Sequence, residues 1–531
     1  MALTPADILL ALTGTYALYT LARTLRRRLH TTRLRGPPRD SFVTGTAERL
    51  YTRETGFSGR VFEEWAERYG AAYVLPGKMG RDSVVLFDPK AVAHVYAKDT
   101  YGYTQRVESK AASERLIGRG LLWADGESHK RQRKTMTPGF SNSAIRQLTY
   151  IFFDSAYKMK AAWDNMLESS EKGECVIEVQ QWMNRISLDS IGLAGFSHDF
   201  GTLRSEPALV GKIFDSFSQL DGSTPSKLLF FLRPFLPRFV MNMIPNKREG
   251  TIRLLNDTMG KIAEELLVKF RKEHEEGAEE GDRSVLGLLC RFLSLLKAGD
   301  SQSALHLTAE EISADMKILI VAGYETTSIS MTWALIELAR HQDKQSKLRE
   351  ELLSEFGAGD PTWDQLTHGL PYLDAVVHEI LRTHAPVPHG VRVAVEDDVI
   401  PLSAPRAHRL GRAHGAASSS RRAWKSREFK PERWLAVEGE GGAAGVDGVP
   451  AHEVSGYRHL LTFIDGPRIC LGRGFAVAEF KAVLSVLIRN YIFELPDGRQ
   501  TEIDVHVSLL PRPKFLGETG PRVPLKVRRV E

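Results

Sequence analysis

Cys470 lies in the run Phe463-Ile464-Asp465-Gly466-Pro467-Arg468-Ile469-Cys470-Leu471-Gly472, directly ahead of the helical stretch RGFAVAEFKAVLSVLIRN. A lone thiolate can hold iron from one side and leave the opposite side open for a ligand. Such a loop needs backbone amides aimed at the sulfur, and Gly466 and Gly472 permit a tight approach. A helix starting just after the cysteine would turn its positive end toward the sulfur and lower its pKa. Arg468, two residues earlier, could pair with an anionic group on a cofactor. A second reading stays open on the residues alone: Cys470 as a buried hydrophobe, the commoner fate of a free cysteine.

Other groupings have spacings with chemical consequences. A long helical pattern opens on a capping box, Thr308 with Glu311 three residues on. Inside it lies ILIVAGYETTS, where the pair Ala322-Gly323 precedes Glu325-Thr326. Glycine in a helix interior costs about 1 kcal/mol against alanine, so Gly323 suggests the close approach of something flat. An acid beside a threonine in mid-helix can bend the helix, hold water and relay protons, or else be an ordinary surface pair. Glu379 and Arg382 in HEILR stand three apart on one helical face, where an ion pair forms readily. Taken alone it is a common surface pair, worth a few tenths of a kcal/mol.

Taken together these motifs resemble the cytochrome P450 family. The match to F-x-x-G-x-R-x-C-x-G is complete at Phe463, Gly466, Arg468, Cys470 and Gly472. The resemblance implies haem b (iron protoporphyrin IX) as cofactor and Cys470 as its axial thiolate, which pushes electron density onto the iron. The segment A-G-x-E-T-T is similar to the family's oxygen-activation segment, and it implies Thr326 and Glu325 as the alcohol–acid pair that delivers protons. Glu379 and Arg382 resemble the E-x-x-R motif. Completed by Arg433 of Pro431-Glu432-Arg433-Trp434, they imply a buried network that fixes the thiolate loop. The run WADGESHKRQR resembles the family's helix at the haem edge, where His129 and Arg133, at i and i+4, could both reach one propionate. Arg392 matches the position that usually contacts the other. Without the family, a solvated basic face is the ordinary reading of all three. His384 and His389 flank a proline-rich turn and are read as structural.

The elements that must carry these residues are mostly helical. Helical patterns run over Ala144 to Leu167, Gly250 to His274, Thr308 to Glu355 and Tyr372 to Arg382, with short strands at Ala72–Val74 and Val84–Phe87. The acidic run around Lys272 to Arg283 and the Gly-rich run Glu438 to Val449 read as loops. The expected fold is mainly α with a small β portion, the cytochrome P450 fold. Its expected divisions are 1–22 as an amino-terminal membrane anchor, 23–45 as a basic, Pro-rich hinge and 46–531 as the haem-thiolate monooxygenase domain.

Hydrophobic residues make up 42% and charged residues 26% of the 531, which excludes disordered, collagenous and disulfide-stapled chains. Cys175, Cys290 and Cys470 form no C-x-x-C pair, so structural zinc and a disulfide framework are not expected. The net charge of +5 hides two basic segments of +7 each against −9 for the rest of the chain. Residues 23–39 hold seven arginines and no acid, and residues 404–427 hold seven Lys/Arg and no acid. The first set follows an uncharged run from Ile8 to Ala22, short for a bilayer core of about 30 Å. The order acid, apolar run, basic run favours an anchor with a cytosolic body over a cleaved signal peptide, with a merely buried amphipathic helix as the alternative. The second set, APRAHRLGRAHGAASSSRRAWKSR, stands where family members carry strands and a meander. It resembles an out-of-frame or mis-spliced translation more than a selected insertion, with an unusual basic surface loop as the other reading.

The expected function is a membrane-anchored haem-thiolate monooxygenase of the endoplasmic reticulum, similar to fungal members that serve secondary metabolism. It would act on an apolar small molecule with electrons from NADPH–cytochrome P450 reductase and with cytochrome b5 as a further candidate donor. A rival within the fold is an isomerase or dehydratase, whose members often lose the alcohol–acid pair kept here. A rival from another class is a damaged, non-catalytic chain in which 404–427 removes two strands and undercuts Arg433. Nucleic-acid binding is not expected, since no aromatic-basic interleaving accompanies the charge.

Overall fold

Helical periodicity dominates the chain, and the computed structural model realises it. It describes residues 11, 13–19, 21–22, 25, 34–46, 49–50, 59–204, 247–275, 307–357, 359–403, 428–435, 460–507 and 509–530. The basic segment 404–427, the Gly-rich run 438–449, residues 276–283 of the acidic run, Cys290 and much of the expected anchor and hinge lie outside the described residues. Among the described residues no helix is long and apolar enough to cross a membrane.

Contacts divide the chain into two units, Met1–Thr52 with Val61–Asp88, and Arg53–Arg60 with Pro89–Glu531. The first is organised by α1 (Arg60–Tyr69) and the antiparallel pair β1 (Ala72–Leu75) and β2 (Ser83–Leu86), with Val61, Trp65 and Tyr73 as its apolar centre.

The second unit runs through α2 (Pro89–Ala97), β3 (Tyr103–Thr104), α3 (Val107–Ile117), α4 (Gly126–Met136) and α5 (Asn142–Glu168) to β4 (Glu174–Glu178) and α6 (Val179–Phe196). It continues with α7 (Lys247–Glu275), α8 (Ala309–Arg340), α9 (Gln342–Phe356), α10 (Pro371–Thr383) and β5 (Val393–Ala394). It closes with α11 (Arg473–Asn490), β6 (Tyr491–Glu494), β7 (Ile503–Val507), β8 (Pro511–Phe515) and β9 (Pro524–Arg529). Strands are few: β9 lies between β4 and β6, β7 pairs with β8, and β3 pairs with β5. The architecture is mainly α with a small β portion.

One helix expected from Thr308 to Glu355 is two. His341 leaves helical geometry at φ −118°, ψ 75°. Its ring Nδ1 meets the Glu337 carbonyl at 2.9 Å, and the Gln342 amide donates to the Ala339 carbonyl and to Phe493 of β6. The Gln342 side chain thus satisfies the Ala339 carbonyl, which a continuing helix would have bonded through its backbone.

The core is built where α5, α6, α8 and α11 meet. Phe152 and Phe475 cross edge to face with centroids 4.9 Å apart, joining α5 to α11. Gly323 explains the closeness of α6 and α8: a Cβ there would lie 2.7 Å from Ile191 Cγ1. The close neighbour of Gly323 among the described residues is thus Ile191 of the adjoining helix. At the start of α8 the capping box forms, with Glu311 N–H donating to Thr308 Oγ1 (3.2 Å) and Thr308 N–H to Glu311 Oε2 (3.0 Å). Glu311 also accepts both terminal nitrogens of Arg131 and the amide of Gln132, which fastens α4 to α8.

Candidate active site

The Cys470 loop is folded by its own backbone. Cys470 N–H donates to the Phe463 carbonyl (2.8 Å) and Ile469 N–H to that of Gly466 (3.0 Å). Gly466 takes φ +68°, and a Cβ there would fall 2.2 Å from the Tyr96 carbonyl oxygen, so only glycine fits. Gly472 differs: its nearest neighbour to a Cβ would be Phe140 at 3.8 Å, and its N–H acts on the Cys470 thiol by pulling its pKa down. Phe463 is buried behind the loop, while Cys470 is accessible.

Protein atoms crowd round the Cys470 thiol and push it above its ordinary pKa even though the residue keeps accessible surface, against the opposing pull of the Gly472 N–H and of Arg133 and Arg473.

Four basic groups gather beside this loop. His129 and Arg133, one turn apart on α4, share the field of Arg468. Burial first, then Arg468 and Arg133, hold His129 down to about 4, so it is neutral. Burial also lowers Arg133, with Cys470 acting in the opposite sense. Arg468 donates through Nη2 to the Ala124 carbonyl and to Asp125, while its buried Nε has no hydrogen-bond partner. Arg392 grips Asp99 with both edge nitrogens, 2.8 Å from Nη2 to Oδ2. Neither acid was flagged in the sequence, where Lys98-Asp99-Thr100 and Asp125, the residue before α4, look like ordinary turn residues.

Glu379 is wholly buried and densely bonded. Arg382 donates to both its oxygens (2.8 and 2.9 Å), Arg433 Nε to Oε1 (2.9 Å), Lys430 N–H to Oε1 (2.8 Å) and Trp434 Nε1 to Oε2 (2.9 Å). Burial disfavours its charge, yet Arg382 and the other donors prevail and hold the carboxyl below its usual range. Arg433 thus reaches Glu379 from the far side of 404–427.

On α8, neighbouring Glu325 and Thr326 point to different partners. The Thr326 hydroxyl donates to the Ala322 carbonyl one turn back (2.7 Å), and Arg512 Nε donates to Glu325 Oε1 (3.1 Å). Arg512 had no sequence signal, because it lies in β8, 187 residues away. His384 stacks on Trp333 at 3.9 Å and meets Glu337 at 2.9 Å.

An accessible cysteine beside three guanidiniums, two of which face carboxylates, suits a group carrying both a metal and its own carboxylates. The donor set and the unpartnered Arg468 Nε fit haem.

A family model described as "Cytochrome P450" matches residues 37–516. The chain is 49% identical over 549 residues to "Cytochrome P450 monooxygenase claU" of Ampulloclitocybe clavipes, covering 99% of this chain and 98% of that one. The same figures hold for "Cytochrome P450 monooxygenase claW" of that fungus. "Cytochrome P450 monooxygenase 128" of Postia placenta is 30% identical over 523 residues, with 93% of this chain and 92% of the other covered.

Proposed function

The chain belongs to the cytochrome P450 family and is a haem-containing monooxygenase; on that premise we propose that it inserts one atom of dioxygen into an apolar organic substrate with electrons from NADPH, passed through a flavin-containing reductase. When bound, haem supplies the redox chemistry that activates dioxygen. The observation that carries the assignment of the site is the accessible Cys470, in a loop closed by its own N–H to the Phe463 carbonyl and set in the field of Arg133 and Arg473.

Cys470 is the protein ligand to the iron in this reading. Gly466 and the Phe463 carbonyl hold its loop in shape. Arg133, Arg392 and Arg468 meet the cofactor's carboxylates, with neutral His129 as a further donor. Thr326 holds a proton at Oγ1; Glu325, the acid of the pair, is held as a carboxylate by Arg512 and must leave that partner to pass a proton on. Glu379, Arg382 and Arg433 touch no reacting group and act by fixing the segment that leads into the loop. The uncharged run and the arginines after it support an attachment to the endoplasmic reticulum membrane, with the catalytic body on the cytosolic side, where the reductase and cytochrome b5 are donors.

The carbon-monoxide difference spectrum of the reduced, full-length protein tests the reading. A thiolate-haem Soret band that disappears in Cys470→Ala is the expected result. A chain without the band, restored only by replacing 404–427, would return the damaged-chain alternative, which the match over nearly the whole length does not favour.

A further inference from the structure

Asp99 follows α2 and exposes none of its surface, yet it carries a carboxylate. Arg392 approaches by one edge, with Nε 2.8 Å from Oδ1 and 3.0 Å from Oδ2, and Nη2 2.8 Å from Oδ2. The Thr100 N–H also donates to Oδ1 (2.9 Å), and Arg468 Nε stands 3.6 Å from the same oxygen. Asp125 plays the corresponding part for Arg468, whose Nη2 donates to it and to the Ala124 carbonyl, and Lys110 closes its other oxygen at 2.8 Å.

A guanidinium offers five N–H groups in a rigid plane. Arg392 commits Nε–H and one Nη2–H to Asp99 and one Nη1–H to the Val391 carbonyl (3.1 Å), which leaves one N–H on each terminal nitrogen. Arg468 commits Nη2 and keeps Nε–H without a hydrogen-bond partner. Each acid thus takes one edge of an arginine and spares another. Buried guanidiniums this close repel one another, and an uncompensated buried charge is strongly unfavourable. Asp99 supplies the counter-charge between two of them.

We infer that Asp99 is a positioning residue for the haem carboxylates: it locks Arg392 by one edge and stands against Arg468, so that their remaining N–H groups stay available to the cofactor. This rests on the reading above that Arg392 and Arg468 meet those carboxylates. Asp99 itself touches neither the iron nor the substrate in this account, and it acts only through the two arginines.

The test is the rate at which the full-length haem protein loses haem to apomyoglobin, which needs neither substrate nor reductase. Arg392→Gln and Arg468→Gln should each release haem faster; if neither does, the reading of the arginines fails and Asp99 is not the cause. Asp99→Asn should accelerate release about tenfold to a hundredfold, the range for partners that orient a ligand from behind. The deciding variant is Asp99→Asn with Arg392→Gln. It should accelerate release over Arg392→Gln alone by much less than Asp99→Asn accelerates it in the wild type, because the acid has lost the fork it holds and acts only through Arg468. Acceleration by the same factor in both backgrounds would overturn the inference, since a merely structural role adds independently. If Asp99→Asn alone does not fold, the double variant still decides, because it removes both charges of the pair together.

Discussion

Glu325 and Arg512 form an ion pair sealed from solvent, with Nε 3.1 Å from Oε1 and each side chain 1% exposed. The pair ties the middle of α8 to β8, and the Leu510 N–H adds a long contact to the same oxygen at 3.4 Å. Removing one member of a buried pair costs about 3–5 kcal/mol, whereas removing both together is often tolerated. Arg512→Met is therefore expected to lower the urea midpoint strongly, and Glu325→Gln with Arg512→Met to recover most of the loss. Equal midpoints for wild type and Arg512→Met would sink this account.

Glu379 should make stability depend on acid. Its folded pKa lies below the unfolded value of about 4.3, so its contribution is fully present above that pH and fades as the pH falls through the lower folded value. Glu379→Gln leaves Arg382 and Arg433 without their shared counter-ion and should cost about 3–5 kcal/mol at neutral pH. The gap to wild type should narrow below about pH 4 as the wild-type carboxylate takes up its proton. Chemical denaturation across that range measures it, and a gap independent of pH would count against the network.

Asp315 carries the opposite sign. It lies on α8, almost fully buried, where its Oδ1 accepts the Leu121 N–H (2.7 Å) ahead of α4. Burial raises it to about 7, with Glu311 adding to the rise and the Leu121 N–H and Arg131 opposing it. The unfolded carboxyl loses its proton near 3.9, so the contribution of Asp315 is greatest at low pH, declines as pH rises, and is gone above about 7. Asp315→Asn should consequently improve the melting temperature relative to wild type more at pH 8 than at pH 5. A difference that does not change between those pH values would refute it.

Gly323 and Ile191 set how closely α6 and α8 approach. Gly323→Ala forces a methyl to 2.7 Å from Ile191 Cγ1, and overpacking of this kind costs about 1–3 kcal/mol. In an Ile191→Ala background, which removes that atom, the same change should cost less. Unfolding free energies of the four proteins close the cycle, and strict additivity would show that the two residues do not meet.

The loop motif was legible because its requirements are local. Gly466 must reach φ +68°, and Cys470 must follow at a fixed distance along the chain. Pairs three or four residues apart on a helix were equally visible: Glu379 with Arg382, His129 with Arg133, Thr308 with Glu311. Helical spacing alone brings such residues together. The break at His341 was hidden, since it depends on Gln342 reaching Phe493 across the fold.

By itself, then, the sequence determined the family, the thiolate, the helical class and the short-range pairs, all consequences of backbone geometry and spacing. The tertiary structure alone decided which charges compensate which. Asp99 meets Arg392 across 293 residues and Glu325 meets Arg512 across 187. Desolvation and buried ion pairing depend on what packs around a group, and only the folded chain brings those neighbours together.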